Sequence, residues 1–334
     1  MTVVPGGAPQ IGPTPRGAVR RTSTLVIEPR GSWAEGQSVT ATGRDLVHAP
    51  TGDIRTEHDQ LTFDLDPAGL LVPRGERTVP APLRGQSVRR GLRKRVAELR
   101  GARPGGADEL LGPAGGLFDA MLDDVVGTAL ASGYGRLHEE SSGHTVDLAA
   151  HMSSTCLGFS TMHARGERFD VDRYFDTKQP SVDFVPHDDL AWHEDRPVRP
   201  LSFRRRRMLQ VAPTTDGVVS VTGYSRDTFA GPDGVEMVVH EYGLDAIVSG
   251  SPLVLESVDA SPGHLPLDHC PLAAGTAVSL AGLALSEVET AVRRDIAGPA
   301  GCTHLNDELR NLRLVPALLA LLDPTRPAGR QIRT

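Results

Sequence analysis

Segments with strand and helix patterns follow one another in large blocks, and their order restricts the folds open to this 334-residue chain. Alternating or β-branched patterns bounded by Gly, Pro and Asp turns predict strands. Predicted strands cover residues 22–27, 38–47, 60–71, 201–211, 218–224, 236–241 and 246–258. Apolar residues at helical spacing predict helices in the middle of the chain and at its C-terminal end. Strands and helices grouped in separate blocks predict an α+β fold with an antiparallel, β-rich core, a central helical insertion and C-terminal helices.

The same patterns predict a domain organisation. Residues 1–20 contain many Pro and Gly and little that could be buried, so we expect a disordered leader there. A single domain is expected over residues 21–330. Its predicted parts are N-terminal strands (21–84), a helical insertion (85–165), and strands with C-terminal helices (198–330).

Composition narrows the function classes. The formal net charge of −7 argues against a general nucleic-acid binder, which needs a basic surface to displace phosphate counterions. The three cysteines are far apart in sequence and form no CxxC pair, which favours a reducing cytoplasm. The longest late apolar stretch, 314–322, is too short to span a bilayer, so no membrane insertion is expected.

The familiar cofactor and nucleophile motifs are missing from the sequence. Neither lysine, Lys94 or Lys178, lies in a Gly-Lys-Ser/Thr sequence, so a P-loop is excluded. Gly133-Tyr-Gly135 lacks the third glycine of a dinucleotide fingerprint. G-x-S-x-G, H-E-x-x-H and C-x-x-C-H are also absent, although a noncovalent haem held by one His needs no such motif.

Histidines offer an alternative chemistry. His144, Asp147 and His151 share one face if this segment is helical, since they are spaced i, i+3 and i+7. Two imidazoles and a carboxylate are the ligands of a non-haem iron site with open positions. A polar helix face in which Asp147 bonds one His fits the same spacing.

Two further histidines lie in the C-terminal part. His240 and Tyr242 share one face of a predicted strand, with Glu241 on the other. In Gly301-Cys302-Thr303-His304-Leu305 we expect Thr303 to cap a helix and His304 to lie in its first turn. The positive helix end disfavours imidazolium, leaving a lone pair of His304 for a metal or a proton. Cys302 is either a ligand or nucleophile or, as free cysteines usually are, a small buried hydrophobe.

Four consecutive arginines, Arg204 to Arg207, alternate in a predicted strand. A pair of them on one face could hold a carboxylate or phosphate. Alternatively, they protect a solvated edge strand by charge.

Three C-terminal segments resemble a bacterial family classed only as a domain of unknown function. They are His240-Glu241-Tyr242, Asp268-His269-Cys270-Pro271 and Gly301-Cys302-Thr303-His304-Leu305. Glu-Tyr after His240 departs from the family's Asp-Met. Residues 22–47 resemble its N-terminal strand pair, and residues 85–165 look like an insertion. Longer proteins of this general kind are similar to trans-anethole oxygenase, which splits the side-chain double bond of a phenylpropene to give an aromatic aldehyde.

The resemblance implies a metal-dependent oxygenase acting on a small aromatic alkene and dioxygen. The expected ligands are His144, His151, His240 and His304, with Tyr242 and Asp147 as catalytic residues and iron, preferably non-haem, as the metal. An apolar pocket is expected from Phe118, Met121, Leu122, Phe159 and Met162. A homo-oligomer is compatible with the sequence.

Two other functions fit the same residues. One is a cofactor-independent hydratase or lyase, with His304 and Tyr242 as acid and base and the 204–207 strand holding an anionic substrate. The other is a non-catalytic ligand-binding protein with structural histidines.

Overall fold

A single antiparallel sheet forms the centre of the protein. The computed structural model of the chain describes residues 11–102, 106–140, 148–168, 190–193, 196–214, 216–323 and 325. Within these ranges, eight strands pair in the order β4-β3-β2-β1-β5-β6-β7-β8. The strands are β1 (Ala18–Pro29), β2 (Gln37–His48), β3 (Ile54–Leu65), β4 (Leu71–Pro73), β5 (Phe203–Pro213), β6 (Val219–Ala230), β7 (Glu236–Ser249) and β8 (Val254–Pro262).

Helices accompany this sheet, and together the two confirm the predicted α+β class. The helices are α1 (Leu92–Ala102), α2 (Gly106–Leu111), α3 (Leu117–Ala131), α4 (Gly133–Glu140), α5 (Leu148–Met152), α6 (Leu157–Ala164), α7 (Leu285–Asp295), α8 (Thr303–Arg310) and α9 (Val315–Leu319). No helix in the described part of the chain combines the length and apolar character needed to cross a membrane.

Several predicted boundaries differ from those of the structure. Strand β1 begins at Ala18 and Ile11 is buried, so ordered chain extends into the segment expected to be a disordered leader. Strand β7 continues through residues 242–245, where the prediction placed a break, because Tyr242 and Leu244 both reach the core. By sequence, Pro271 could start one helix over residues 274–291. This prediction is wrong, since the structure has a 3-10 segment and α7 separated at Gly282, where φ is +86°.

One face of the sheet carries two adjoining hydrophobic cores. Helix α3 packs on strands β1 to β3 through Leu117, Phe118 and Met121, which form the N-terminal core together with Phe63. The C-terminal core lies between strands β5 to β8 and helices α7 to α9. Since side chains alternate along a strand, the strands that contribute to a core do so mainly through every second residue.

Strand β5 pairs with β1 on one side and β6 on the other, so it lies inside the sheet and not at an edge. The prediction of a solvated, charge-protected edge strand is therefore wrong. All four arginines of residues 204–207 are buried. Arg205 and Arg207 point toward α8 and meet Asp227, Asp307, Asp124 and Glu308, while Arg204 and Arg206 reach Glu236. These guanidinium groups are neutralised within the protein.

Candidate metal centre

His240 lies on β7 near the junction of the two cores. It is paired with Asp227 of β6, and the register between these strands shifts immediately beyond, which leaves Val239 as an extra residue. Such bulges reorient side chains and are frequent beside functional sites. Tyr242 shares the face of His240, whereas Glu241 points to the opposite face and accepts hydrogen bonds from Tyr224 and Arg226. This arrangement of His240, Glu241 and Tyr242 confirms the predicted alternation.

The start of α8 places His304 beside His240. The residue that caps this helix is Cys302, not Thr303 as expected, and Thr303 is its first helical residue. His304 follows in the first turn, as predicted. At Gly301 any side chain would overlap the carbonyl oxygen of Ile296, so a residue without a side chain is needed for this close backbone approach.

The two imidazole rings are stacked face to face. Their centroids are 3.5 Å apart and their planes are inclined by 10°. The Cys302 sulfur lies 3.9 Å from Nδ1 of His304. One ligand atom from each of His240, Cys302 and His304 lies within 4.8 Å of the other two. The ring of Tyr134, on α4, lies 6.3 Å from that of His240.

A carboxylate held by an arginine supports His304. Nε2 of His304 lies 3.4 Å from Oδ2 of Asp227. Both oxygens of Asp227 accept hydrogen bonds from Arg205, each at 2.7 Å, and Arg205 also reaches Asp307 at 3.1 Å. This bidentate pair fixes the position of the Asp227 carboxylate beside the imidazole.

Burial keeps both imidazoles neutral. It lowers the pKa of His304 to about 3, and the positive charge of Arg205 acts in the same direction. Burial also lowers the pKa of His240 well below its ordinary value, with a further contribution from His304. From the sequence we expected the positive helix end to keep the His304 imidazole neutral. In the structure the main cause is its burial.

The neighbouring protic groups are also held in their neutral forms. Burial raises the pKa of the Cys302 thiol and that of the Tyr242 hydroxyl. The hydroxyl lies close enough to the thiol to affect both pKa values, although the pair lacks regular hydrogen-bond geometry.

The two histidines differ in the surroundings of their ring nitrogens. Among the described residues, Nδ1 of His240 is buried without a hydrogen-bond partner, and Nε2 of His304 faces the Asp227 carboxylate at 3.4 Å without regular hydrogen-bond geometry. Buried polar atoms are nearly always paired, so the unpartnered Nδ1 of His240 calls for an explanation such as a bound ion. Two neutral imidazoles beside a thiol are suitable ligands for a transition metal.

The other predicted ligands do not join this cluster. His144 and Asp147 lie outside the described residues. His151 is exposed on α5 and is not in the group of converging ligand atoms, which among the described residues contains His240, Cys302 and His304.

The predicted apolar pocket is divided between two places. Phe118, Met121 and Leu122 belong to the N-terminal core. Phe159 and Met162 pack in a separate small cluster around Ala149. These five residues therefore do not line one common cavity.

Sequence reasoning missed Asp227, and it considered Arg204 to Arg207 as holders of a carboxylate without placing Arg205 at this site. Asp227 and Arg205 are both charged residues in strands, and nothing in their spacing indicates that they face His304. The position of Cys302, two residues before His304, could have indicated a ligand. A role as a small buried hydrophobic residue was equally compatible with the sequence.

Comparison with known proteins identifies a family for part of the chain. Residues 203–317 match the family described as "Protein of unknown function (DUF2889)". This span includes His240, Tyr242, Cys302 and His304, and it supports the predicted resemblance of the C-terminal part to a domain of unknown function. No curated protein and no solved structure matches the chain.

Proposed function

We propose that this protein is a metal-dependent oxygenase that splits the side-chain double bond of an aromatic alkene to give an aromatic aldehyde. One observation supports the metal-dependent part most directly. Two neutral, buried imidazoles, His240 and His304, lie in contact beside the Cys302 thiol, and within the described part of the chain Nδ1 of His240 has no hydrogen-bond partner. The substrate class rests on the resemblance to trans-anethole oxygenase drawn from the sequence.

The chain's own residues have identifiable roles in this proposal. His240 and His304 would bind the ion, and Asp227, fixed by Arg205, would orient the His304 ring. The buried surroundings limit access of water to the reacting atoms. A redox-active ion bound there would supply the activation of dioxygen.

The overall reaction balances without a further reductant. One dioxygen molecule and one alkene give two carbonyl products, with one oxygen atom in each. No nicotinamide or flavin is needed, in agreement with the missing dinucleotide fingerprint.

The hydratase or lyase alternative is less well supported. It needs the 204–207 strand to hold an anionic substrate, but these arginines are buried within the sheet and engage protein carboxylates. Binding a substrate there would require breaking buried ion pairs, which is costly.

Metal analysis combined with oxygen uptake tests the proposal. Purified protein should contain a redox-active metal, consume oxygen with an alkene such as trans-anethole and form aldehyde in equal amount. A chelator should abolish turnover, and the metal should restore it. The His304→Ala variant should be inactive, whereas His151→Ala, at an exposed histidine, serves as the matched control. Full turnover without oxygen, or in metal-free protein, would refute the proposal and favour a hydratase or lyase.

A further inference from the structure

We infer that Cys302 is the third protein ligand of the centre, binding the ion as a thiolate beside His240 and His304. This inference rests on the proposed function for the presence of an ion. It assigns the ion a ligand that an iron site of two histidines and one carboxylate does not have.

The distance between the Cys302 sulfur and His304 suits a shared ion. Two donors on one tetrahedral ion lie about 3.5 Å apart, given metal bonds of about 2.0 Å to nitrogen and 2.3 Å to sulfur. The Cys302 sulfur and Nδ1 of His304 are 3.9 Å apart, so little movement brings them onto one ion. The cap position explains this proximity, because Cys302 immediately precedes the first turn that carries His304.

The ring nitrogen of His304 that points away from the sulfur faces a carboxylate. A metal-bound histidine nearly always directs its other ring nitrogen at a carboxylate or carbonyl. Here Nε2 lies 3.4 Å from the Asp227 carboxylate, which assigns Nδ1 to the ion. Nδ1 lies beside the sulfur and 3.4 Å from the Thr303 hydroxyl, whose contact the ion would replace. The two contacts thus assign the same nitrogen.

The carboxylate beside His304 is already engaged by an arginine. Asp227 is the acidic side chain beside His304, yet both its oxygens are engaged by Arg205. Its use as a ligand would break a buried bidentate pair, at a large cost. The Cys302 thiol is buried and, within the described part of the chain, is not held by a charged partner of this kind.

Binding requires two local changes. The thiol loses its proton to solvent as the metal–sulfur bond forms, with no change in oxidation state. The stacked rings lie in nearly parallel planes, and an ion cannot lie in both planes at once. One ring must therefore tilt when the ion binds. A thiolate ligand favours metals that bind sulfur well. Among these, iron and copper are redox-active, whereas zinc is not.

Cobalt(II) is a suitable probe because thiolate ligation gives it a near-ultraviolet charge-transfer band in addition to its visible bands. The full-length protein, freed of metal and kept anaerobic, would be titrated with Co2+. We expect the charge-transfer band in the wild type and in Cys270→Ser. Cys270 is the matched control, since it is buried near Cys302 but lies outside the converging group.

The Cys302→Ser variant should lose the charge-transfer band. Its Co2+ affinity should fall by more than the roughly 10–100-fold that the loss of an outer-shell partner costs. Circular dichroism establishes that the variant is folded. If it is not, X-ray absorption of the Co2+-loaded wild type reports directly whether sulfur is bound.

The outcomes separate this inference from the proposed function. Visible cobalt bands without a charge-transfer band, or a band that persists in Cys302→Ser, would overturn thiolate ligation and leave a metal-dependent function standing. Failure of the folded wild type to bind Co2+ or its native metal would overturn both.

Discussion

The ring of His304 lies flat on the ring of His240, with centroids 3.5 Å apart, although 64 positions separate the two residues in the chain. One ring comes from a strand and the other from the first turn of a helix. Both are neutral because they are buried, and two neutral rings stack without the repulsion that protonation would introduce.

Removal of either imidazole should remove the metal. We expect His240→Ala and His304→Ala to lose bound metal while remaining folded, since each change removes a side chain that binds the ion directly. Elemental analysis after gel filtration measures this directly. His151→Ala should retain the metal, because His151 is exposed and outside the cluster. Metal loss in His151→Ala with retention in the other two would contradict the assignment.

The Arg205–Asp227 pair should matter greatly for stability. The two side chains are 2% and 3% exposed, so Asp227→Ala leaves a buried guanidinium without its bidentate partner. We expect the free energy of unfolding in urea to fall by about 3–5 kcal/mol. Glu98→Ala provides a control at an exposed helical ion pair, where a loss of about 0.2–1 kcal/mol is expected. Equal effects of the two changes would show that the Arg205–Asp227 pair is solvated.

Acid should destabilise the metal-free protein through His304. Its pKa is about 3 in the folded chain and near 6.5 when exposed, because burial disfavours the imidazolium. The unfolded state therefore binds more protons between these values, and this contribution to stability is lost as the pH falls from 6.5 toward 3. The loss is on the order of a few kcal/mol. Urea denaturation of wild type and His304→Gln at several pH values measures it. Parallel curves would mean that His304 is accessible to protons in the folded state.

Glu308 should give the opposite pH dependence. Burial raises the pKa of its carboxyl from 4.5 to about 7, so the folded state holds a proton that the unfolded state has lost. Its contribution to stability is greatest below pH 4.5 and declines as the pH rises through 7. Glu308→Gln should therefore gain roughly 1–3 kcal/mol relative to wild type between pH 5 and pH 8. Glu98→Gln, at an exposed carboxylate, should show no such trend.

Gly127 should be intolerant of a side chain. A methyl group there would overlap the Asp307 carboxylate and lie 2.7 Å from Nη1 of Arg205, so α3 could not keep its distance from the ion network. We expect Gly127→Ala to cost about 1–3 kcal/mol in thermal or urea unfolding. Gly101, in α1, faces open space, and Gly101→Ala should be neutral or stabilising by roughly 0.5–1 kcal/mol. Stabilisation by both changes would contradict the packing described around Asp307.

The sequence determined the fold class and most of the strands. Side-chain alternation and turn residues are local signals. They predicted strands on both sides of Asp216-Gly217 and Asp233-Gly234, and the shared face of His240 and Tyr242. They also singled out His304 at a helix start. Local patterns could not place Arg204 to Arg207, because whether a strand is central or at an edge depends on which distant strands pair with it.

Only the tertiary structure decided the composition of the site. The pairing of β6 with β7 placed Asp227 opposite His240, and the packing of α8 on this face brought His304 and Cys302 onto them. Burial then set the protonation of both imidazoles, because desolvation depends on everything that surrounds a side chain and not on its neighbours in sequence. The sequence thus supplied the ligand types, and long-range packing selected which of them meet.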